Sequence, residues 1–300
     1  MIQKIITISV IFGFVITVSF SVAVAAKPNQ EKRVVGVNPS KGKATVTIPA
    51  RAIEVAPGIF SLGTAMDNGK IVEGYAMVKY KKDFAKPGTI CGNNICEPGE
   101  NANKCPEDCA DEPEEPDTSS CYSFLSKGAK WKTVEQYIVD SANTRGLDGT
   151  FIQNNVATDI VKWETAAGVN ILGDEIAGIV DGADMASPDN KNELYFADID
   201  HEGAIAVAII WGVFGGPPPS RELVEWDMIF DDVDFDWGVG EAGKMDFENI
   251  ATHELGHSVG MGDLYTTECS EVTMYGYASY AETKKQTLEA GDITGIRKLY

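Results

Sequence analysis

The stretch FENIATHELGHSVGMGDLY, residues 247–265, contains His253, Glu254, Leu255, Gly256 and His257 in succession. Two histidines four apart on a helix stand about 40° apart around its axis and one turn along it, so both imidazoles reach one zinc ion from the same face. Glu254 follows His253 directly, which puts its carboxylate beside that ion, placed to accept a proton from metal-bound water and pass it to a leaving amine. Asp246 is a candidate N-cap of the helix, and Phe247, Ile250 and Leu255 supply apolar contacts on its flanks. A catalytic zinc site takes three protein ligands plus water. Gly260 permits an abrupt turn after the helix, and Asp263 is the first side chain beyond it able to ligate the same ion. His201, in IDHEG, is the chain's third histidine and reads as a surface residue near a turn rather than a ligand.

Working outward, TFIQNNVATDIVKWETAAG at 150–168 spaces Ile152, Val156, Ile160 and Trp163 by four and three, which predicts a helix with one buried face. AIAVAIIWG at 204–212 and ELVEWDMIFD at 222–231 read as strands, the second alternating Val224, Trp226, Met228 and Phe230 against Glu225, Asp227 and Asp231. GGPPP at 215–219 must be the loop between them. Helix, strands and a further helix predict an α/β (α+β) domain with a mixed, mostly parallel sheet.

The N-terminal part reads differently. Residues 1–26 place one Lys before an uncharged, mostly apolar run that ends in small residues with an A-x-A match at Ala23-Val24-Ala25, the pattern of a signal peptide, with an uncleaved membrane anchor as the alternative. Residues 27–90 read as a small β-rich unit with a hairpin turn at Asp67-Asn68-Gly69, either a latency-conferring pro-segment or a structural module. A Cys-rich module follows at 91–109, holding Cys91, Cys96, Cys105 and Cys109; export favours two disulfides over a four-thiolate zinc site. Residues 110–120, ADEPEEPDTSS, form an acidic Pro-rich linker, and 121–300 form the catalytic domain, whose ends Cys121 and Cys269 are left to pair with each other.

With 300 residues and a formal charge of −20, the chain would repel a phosphate backbone, which excludes nucleic acid as a natural partner and leaves carboxylates free for hard cations. Asp231, Asp232, Asp234 and Asp236 in FDDVDFDWG make one cluster whose mutual repulsion calcium would relieve.

HELGHSVGMGD resembles the extended zinc motif of the metzincin metalloendopeptidases, and MYGYAS at 274–279 resembles the turn whose methionine lies beneath the metal. The resemblance is greatest to the matrixin branch: EAGDITGIRKLY at 289–300 is similar to that family's closing helix, and ELVEWDMIFD to its strand before the active-site helix. The resemblance implies that His253, His257 and Asp263 are the zinc ligands, that Glu254 is the general base and later acid, and that Met274 is the turn residue. It also implies that AIAVAIIWG is the edge strand that holds an extended peptide substrate, and that structural calcium is a second candidate cofactor. Tyr275 and Tyr277 are candidates for stabilising an oxyanion. Asp263 stands where matrixins carry His, as in the snapalysins, which points to a differently tuned zinc site. No copy of the cysteine motif that blocks zinc in vertebrate matrixins is present.

The expectation is therefore a secreted zinc endopeptidase acting on a protein or peptide, cell-surface anchored only if residues 1–26 are retained. The alternative is a non-catalytic extracellular binding or structural protein whose metal only stabilises a metzincin-like domain.

Overall fold

A computed structural model describes residues 45–82 and 118–300. The stretches expected to be a signal peptide (1–26), a Cys-rich module (91–109) and, up to residue 117, an acidic linker lie outside the described residues. Among the described residues, no helix is long and apolar enough to cross a membrane.

The frame is set by two strands so apolar that both of their faces must be covered. In chain order the elements are β1 (Ile53–Ala56), β2 (Ile59–Asp67), β3 (Lys70–Lys81), β4 (Ser123–Phe124), β5 (Glu135–Asp140), α1 (Gly149–Ala167), β6 (Leu172–Glu175), β7 (Asn192–Ala197), β8 (Ala204–Val213) and β9 (Glu222–Asp231). They continue with β10 (Trp237–Gly238), β11 (Met245–Asp246), α2 (Phe247–Ser258), β12 (Met261–Gly262), β13 (Tyr277–Ala278) and α3 (Ala290–Leu299). The main sheet runs β1-β2-β3-β8-β9-β7-β5-β6, and β13 joins it alongside β3.

Residues of β8 and β9 alternate between two cores. Ala206, Ala208, Ile210, Trp226, Met228 and Phe230 face the helices with Ile152, Val156, Ile160 and Trp163 of α1 and Phe247, Ile250 and Leu255 of α2. Val207, Ile209, Trp211 and Ile229 face a second cluster that includes Val46, Leu62, Val72 and Tyr195. Helix α1 begins at Asp148, whose carboxylate accepts from the Phe151 amide, and ends at Gly168 in the left-handed conformation. Lys162 on α1 reaches Asp159 at 2.6 Å and Glu248 at 2.5 Å, tying α1 to the first turn of α2.

The expectation of a mostly parallel sheet needs correction. The pairings β6–β5, β5–β7 and β7–β9 are parallel, but β9–β8 is antiparallel, and so are β8–β3, β3–β2 and β2–β1. The β-rich residues are joined to the same sheet through β3, which makes it mostly antiparallel overall. Local alternation identifies each strand but carries no information about a partner more than a hundred residues away. The hairpin turn forms where expected, with Asn68 and Gly69 both at positive φ, as a two-residue hairpin requires.

Cys121 and Cys269 form a disulfide across 148 residues of sequence. Closing so long a loop constrains the unfolded chain by ~2–5 kcal/mol. The Cys121→Ser, Cys269→Ser double substitution should therefore lower unfolding stability by about that amount in denaturant titration; a change below about 1 kcal/mol would show that the bridge adds nothing to the fold.

Candidate metal centre

Helix α2 is the platform. Asp246 caps it, accepting from the Asn249 amide at 2.7 Å through one carboxylate oxygen and from Gly240 at 2.7 Å through the other. The chain leaves the helix at Gly260, whose φ of +99° suits glycine; a Cβ there would also lie 2.9 Å from the Ala129 carbonyl oxygen. That turn leads through β12 and returns Asp263 to the helix.

Asp263 Oδ1 lies 3.2 Å from His253 Nε2 and 3.7 Å from His257 Nε2, and the three side chains offer ligand atoms all within 4.8 Å of one another. The two imidazoles stand nearly perpendicular, with centroids 4.9 Å apart. Each is oriented by a backbone carbonyl: His253 Nδ1 lies 2.7 Å from Thr273 O and His257 Nδ1 lies 3.0 Å from Met261 O. A carbonyl only accepts, so both Nδ1 atoms carry the proton and both Nε2 lone pairs face the cluster. His253 Nε2, Asp263 Oδ1 and both oxygens of Glu254 are buried with no hydrogen-bond partner. Buried acceptors converging without a donor are what a cation would satisfy, so these residues fit a zinc ion.

Burial sets the protonation states. It pushes the His253 imidazole down to about 3, with the nearby Lys79 ammonium acting in the same direction, and lowers His257 as well, so both stay neutral and able to ligate. It pushes Glu254 well above the usual carboxylate range. The Tyr265 hydroxyl lies 3.1 Å from Asp263 Oδ2 and donates to Pro57 O at 2.7 Å.

Two positioning residues escaped the sequence reading. A Cβ on Gly256 would lie 2.2 Å from Met274 Sδ and 2.8 Å from Trp163 Cζ2, so the glycine in HELGH lets the fully buried Met274 pack directly beneath the helix. Asp292, buried in the first turn of α3, accepts from Thr273 N at 2.9 Å and Met274 N at 3.2 Å. It thereby fixes the peptide whose carbonyl orients His253. The spacing of Glu289 and Asp292, a capping box on α3, was the available clue.

Other expectations meet a mixed outcome. His201 is half-buried rather than a surface residue, its Nε2 lying 2.7 Å from the Tyr80 hydroxyl. Tyr275 is buried beside the disulfide, and its ring packs on Tyr277. The cluster at Asp231, Asp232, Asp234 and Asp236 is not a group of converging ligands. Asp231 accepts from the Ile199, Val233 and Asp234 amides, Asp232 accepts from Thr144, and Asp236 pairs with Arg145, so donors within the chain relieve the repulsion. A different acidic group converges instead: Asp184, Glu225 and Asp227, with Glu225 Oε1 buried and unpartnered.

Residues 190–300, from the turn before β7 to the C-terminus, match the family model described as Matrixin. Comparison with curated proteins gives no match. The matched span carries the whole His-His-Asp set, with the Asp-for-His exchange that snapalysins also show.

Replacing Asp292 by Ala should weaken zinc binding by about 10–100-fold in chelator competition, since residues that orient a ligand typically contribute that much. Gly256→Ala should cost ~1–3 kcal/mol of stability by overpacking against Met274. Unchanged zinc affinity in the first variant, or unchanged stability in the second, would contradict these positioning roles.

Proposed function

We propose, on the premise that residues 190–300 belong to the matrixin family of zinc metalloendopeptidases, that the chain hydrolyses internal peptide bonds at the centre formed by His253, His257 and Asp263, with Glu254 moving the proton. The observation that carries this reading is the convergence of buried, unpartnered atoms of His253, Glu254 and Asp263. His253 Nε2, His257 Nε2 and Asp263 would hold a zinc ion, which would supply Lewis acidity for hydrolysis of the peptide carbonyl.

The remaining work belongs to the chain. Glu254 Oε1 lies 3.9 Å from His253 Nε2, beside the ligand set without being part of it. From this position the carboxylate can take a proton and hold it until the departing amine receives it. Thr273 and Met261 keep the rings from rotating, and Met274 supports the helix from below. Export, read from residues 1–26, places this activity outside the cell.

Calcium is assigned to the second acidic group. Asp184, Glu225 and Asp227 lie on the sheet face away from the helices, with Glu193 nearby accepting from the Asp181 and Gly182 amides. The neighbouring cation, Lys191, is already paired with Asp181 and Asp189. Burial pushes Glu193 up to about 7 and Glu225 up to about 10, and raises Asp227 strongly. Carboxyls raised in the folded state favour folding while protonated, so their contribution is fully present below about pH 4 and is lost as pH rises through 7 and towards 10. A divalent cation would replace those protons.

Glu254→Gln should retain zinc by elemental analysis yet lose turnover of denatured casein by at least about a hundredfold, whereas His253→Ala should lose both. Equal cleavage by parent and Glu254→Gln would leave only the binding or structural reading. For the second site, the metal-free chain should melt at progressively lower temperature as pH rises from about 5 to 9, and millimolar calcium should offset this in the parent but not in Glu225→Gln. No calcium response at high pH would remove that assignment.

A further inference from the structure

In a chain with 45 acidic residues against 25 basic ones, the segments 121–134, 203–221 and 293–300 contain no Asp or Glu, yet hold Lys127, Lys130, Lys132, Arg221, Arg297 and Lys298. The fold brings these cations to one face. Arg221 donates to the Lys127 carbonyl oxygen at 2.8 Å, Lys132 Nζ reaches the Pro219 carbonyl oxygen, and Lys130 Nζ lies 5.3 Å from the centre of the Tyr300 ring. Lys298 Nζ lies 4.4 Å from the centre of the Tyr122 ring, and Arg297 donates to the Ala166 carbonyl oxygen at the end of α1. The face sits behind the C-terminal end of α2, where Trp131 Nε1 donates to Ser258 O at 2.7 Å and the Leu125 amide donates to Gly260 O at 3.1 Å.

These charges are answered differently from those elsewhere. Among the other described residues, Lys70, Arg145, Lys162, Lys191, Lys244 and Lys284 are each paired with a carboxylate side chain. On this face the partners are carbonyl oxygens and aromatic rings. The acids that follow the first two segments turn away from it, Glu135 to the Thr133 hydroxyl and Glu222 to Lys70. The acid that precedes the third, Asp292, is buried on the Thr273 and Met274 amides. Lys127, Lys132, Arg297 and Lys298 are exposed. An external anion would relieve the repulsion among cations that share a face without carboxylates between them.

We propose that this face binds a thin polyanion, an acidic polysaccharide carrying sulfate or uronate groups, and so holds the protein on such a polymer. The distribution of charge selects among anions. At physiological salt a charge is felt over about 8 Å. A single thin chain can lie within that distance of the cations while staying clear of the acidic surface around them. A bilayer is planar and a nucleic-acid duplex broad, so either would bring its own negative charge against those carboxylates. Single-stranded nucleic acid gains affinity by stacking bases on open aromatic faces, whereas Tyr122 and Tyr300 each carry a lysine ammonium over the ring.

The test is binding of fluorescein-labelled dextran sulfate to the zinc-loaded full chain, read by fluorescence anisotropy from about 50 to 200 mM NaCl. The logarithm of the binding constant should fall linearly with that of salt, by about 0.7 per cation engaged and so with a slope near about −4. The triple variant Lys127→Ser, Lys132→Ser, Lys298→Ser should bind at least about tenfold more weakly and lose about two from that slope. Lys191→Ser, Lys244→Ser, Lys284→Ser, the same change of charge away from the face, should stay within about threefold of the parent. Glu254→Gln should bind like the parent, so the result is independent of the peptidase reading. No binding by the parent, or equal losses in the two triple variants, would overturn the proposal. Tighter binding of phosphatidylglycerol vesicles or of a single-stranded oligonucleotide, lost in the first triple variant, would give the face to that partner and overturn the polysaccharide assignment.

Discussion

Three buried atoms, His253 Nε2, Asp263 Oδ1 and the nearer oxygen of Glu254, lie within 4 Å of one another in pairs through His253 and have no hydrogen-bond donor. Leaving a buried polar atom unsatisfied costs ~1–3 kcal/mol, and a charged one more, so a fold that gathers several at one point needs a cation to be stable there. The surrounding structure serves that gathering. The Asp246 cap starts α2 at the right residue, Gly260 turns the chain back, and Thr273 and Met261 orient the rings. Asp292 holds the turn that places Thr273, and Gly256 makes room for Met274 below. Each of these acts through a few close contacts, which is why substitutions well away from the metal ligands should be felt in zinc affinity.

The sheet has a second task besides supporting this centre. Its far face collects Glu193, Glu225 and Asp227, all almost fully buried and on strands that a half-exposed sheet would leave in water. They are covered by the 176–191 stretch, with Asp184 reaching in and its carbonyl oxygen accepting from Trp211. A chain with a formal charge of −20 can bury such a group only with protons or a divalent cation. The far face can thus take up protons or a divalent cation, and the near face gathers the residues that can hold a metal ion.

The parts that were legible in sequence are the local ones. A helix that places His253 and His257 one turn apart, an N-cap at Asp246, a glycine at the turn and a ligand three residues on are all set by spacing within one segment. The pairing of Cys121 with Cys269 could be named because no other partners remained. What was not legible is what crosses the chain. Nothing in the alternation of residues 70–81 says that they pair with β8, or that Lys79 ends behind His253. The alternation of β9 does not tell what covers its acidic residues, because that cover, a stretch without regular secondary structure beyond Glu175, has no periodicity to announce it. The FDDVDFDWG carboxylates looked like a cation site for the same reason: the amides and Arg145 that satisfy them come from other segments.

Zinc-edge X-ray absorption on the zinc-loaded full chain tests the central claim most directly, because it reads the ligand atoms rather than the activity. The account predicts nitrogen and oxygen neighbours only, at about 2.0–2.2 Å, with imidazole scattering from two histidines and a changed first shell in Asp263→Ala. Sulfur neighbours at about 2.3 Å would place the metal on cysteine thiolates instead and would contradict the assignment to His253, His257 and Asp263.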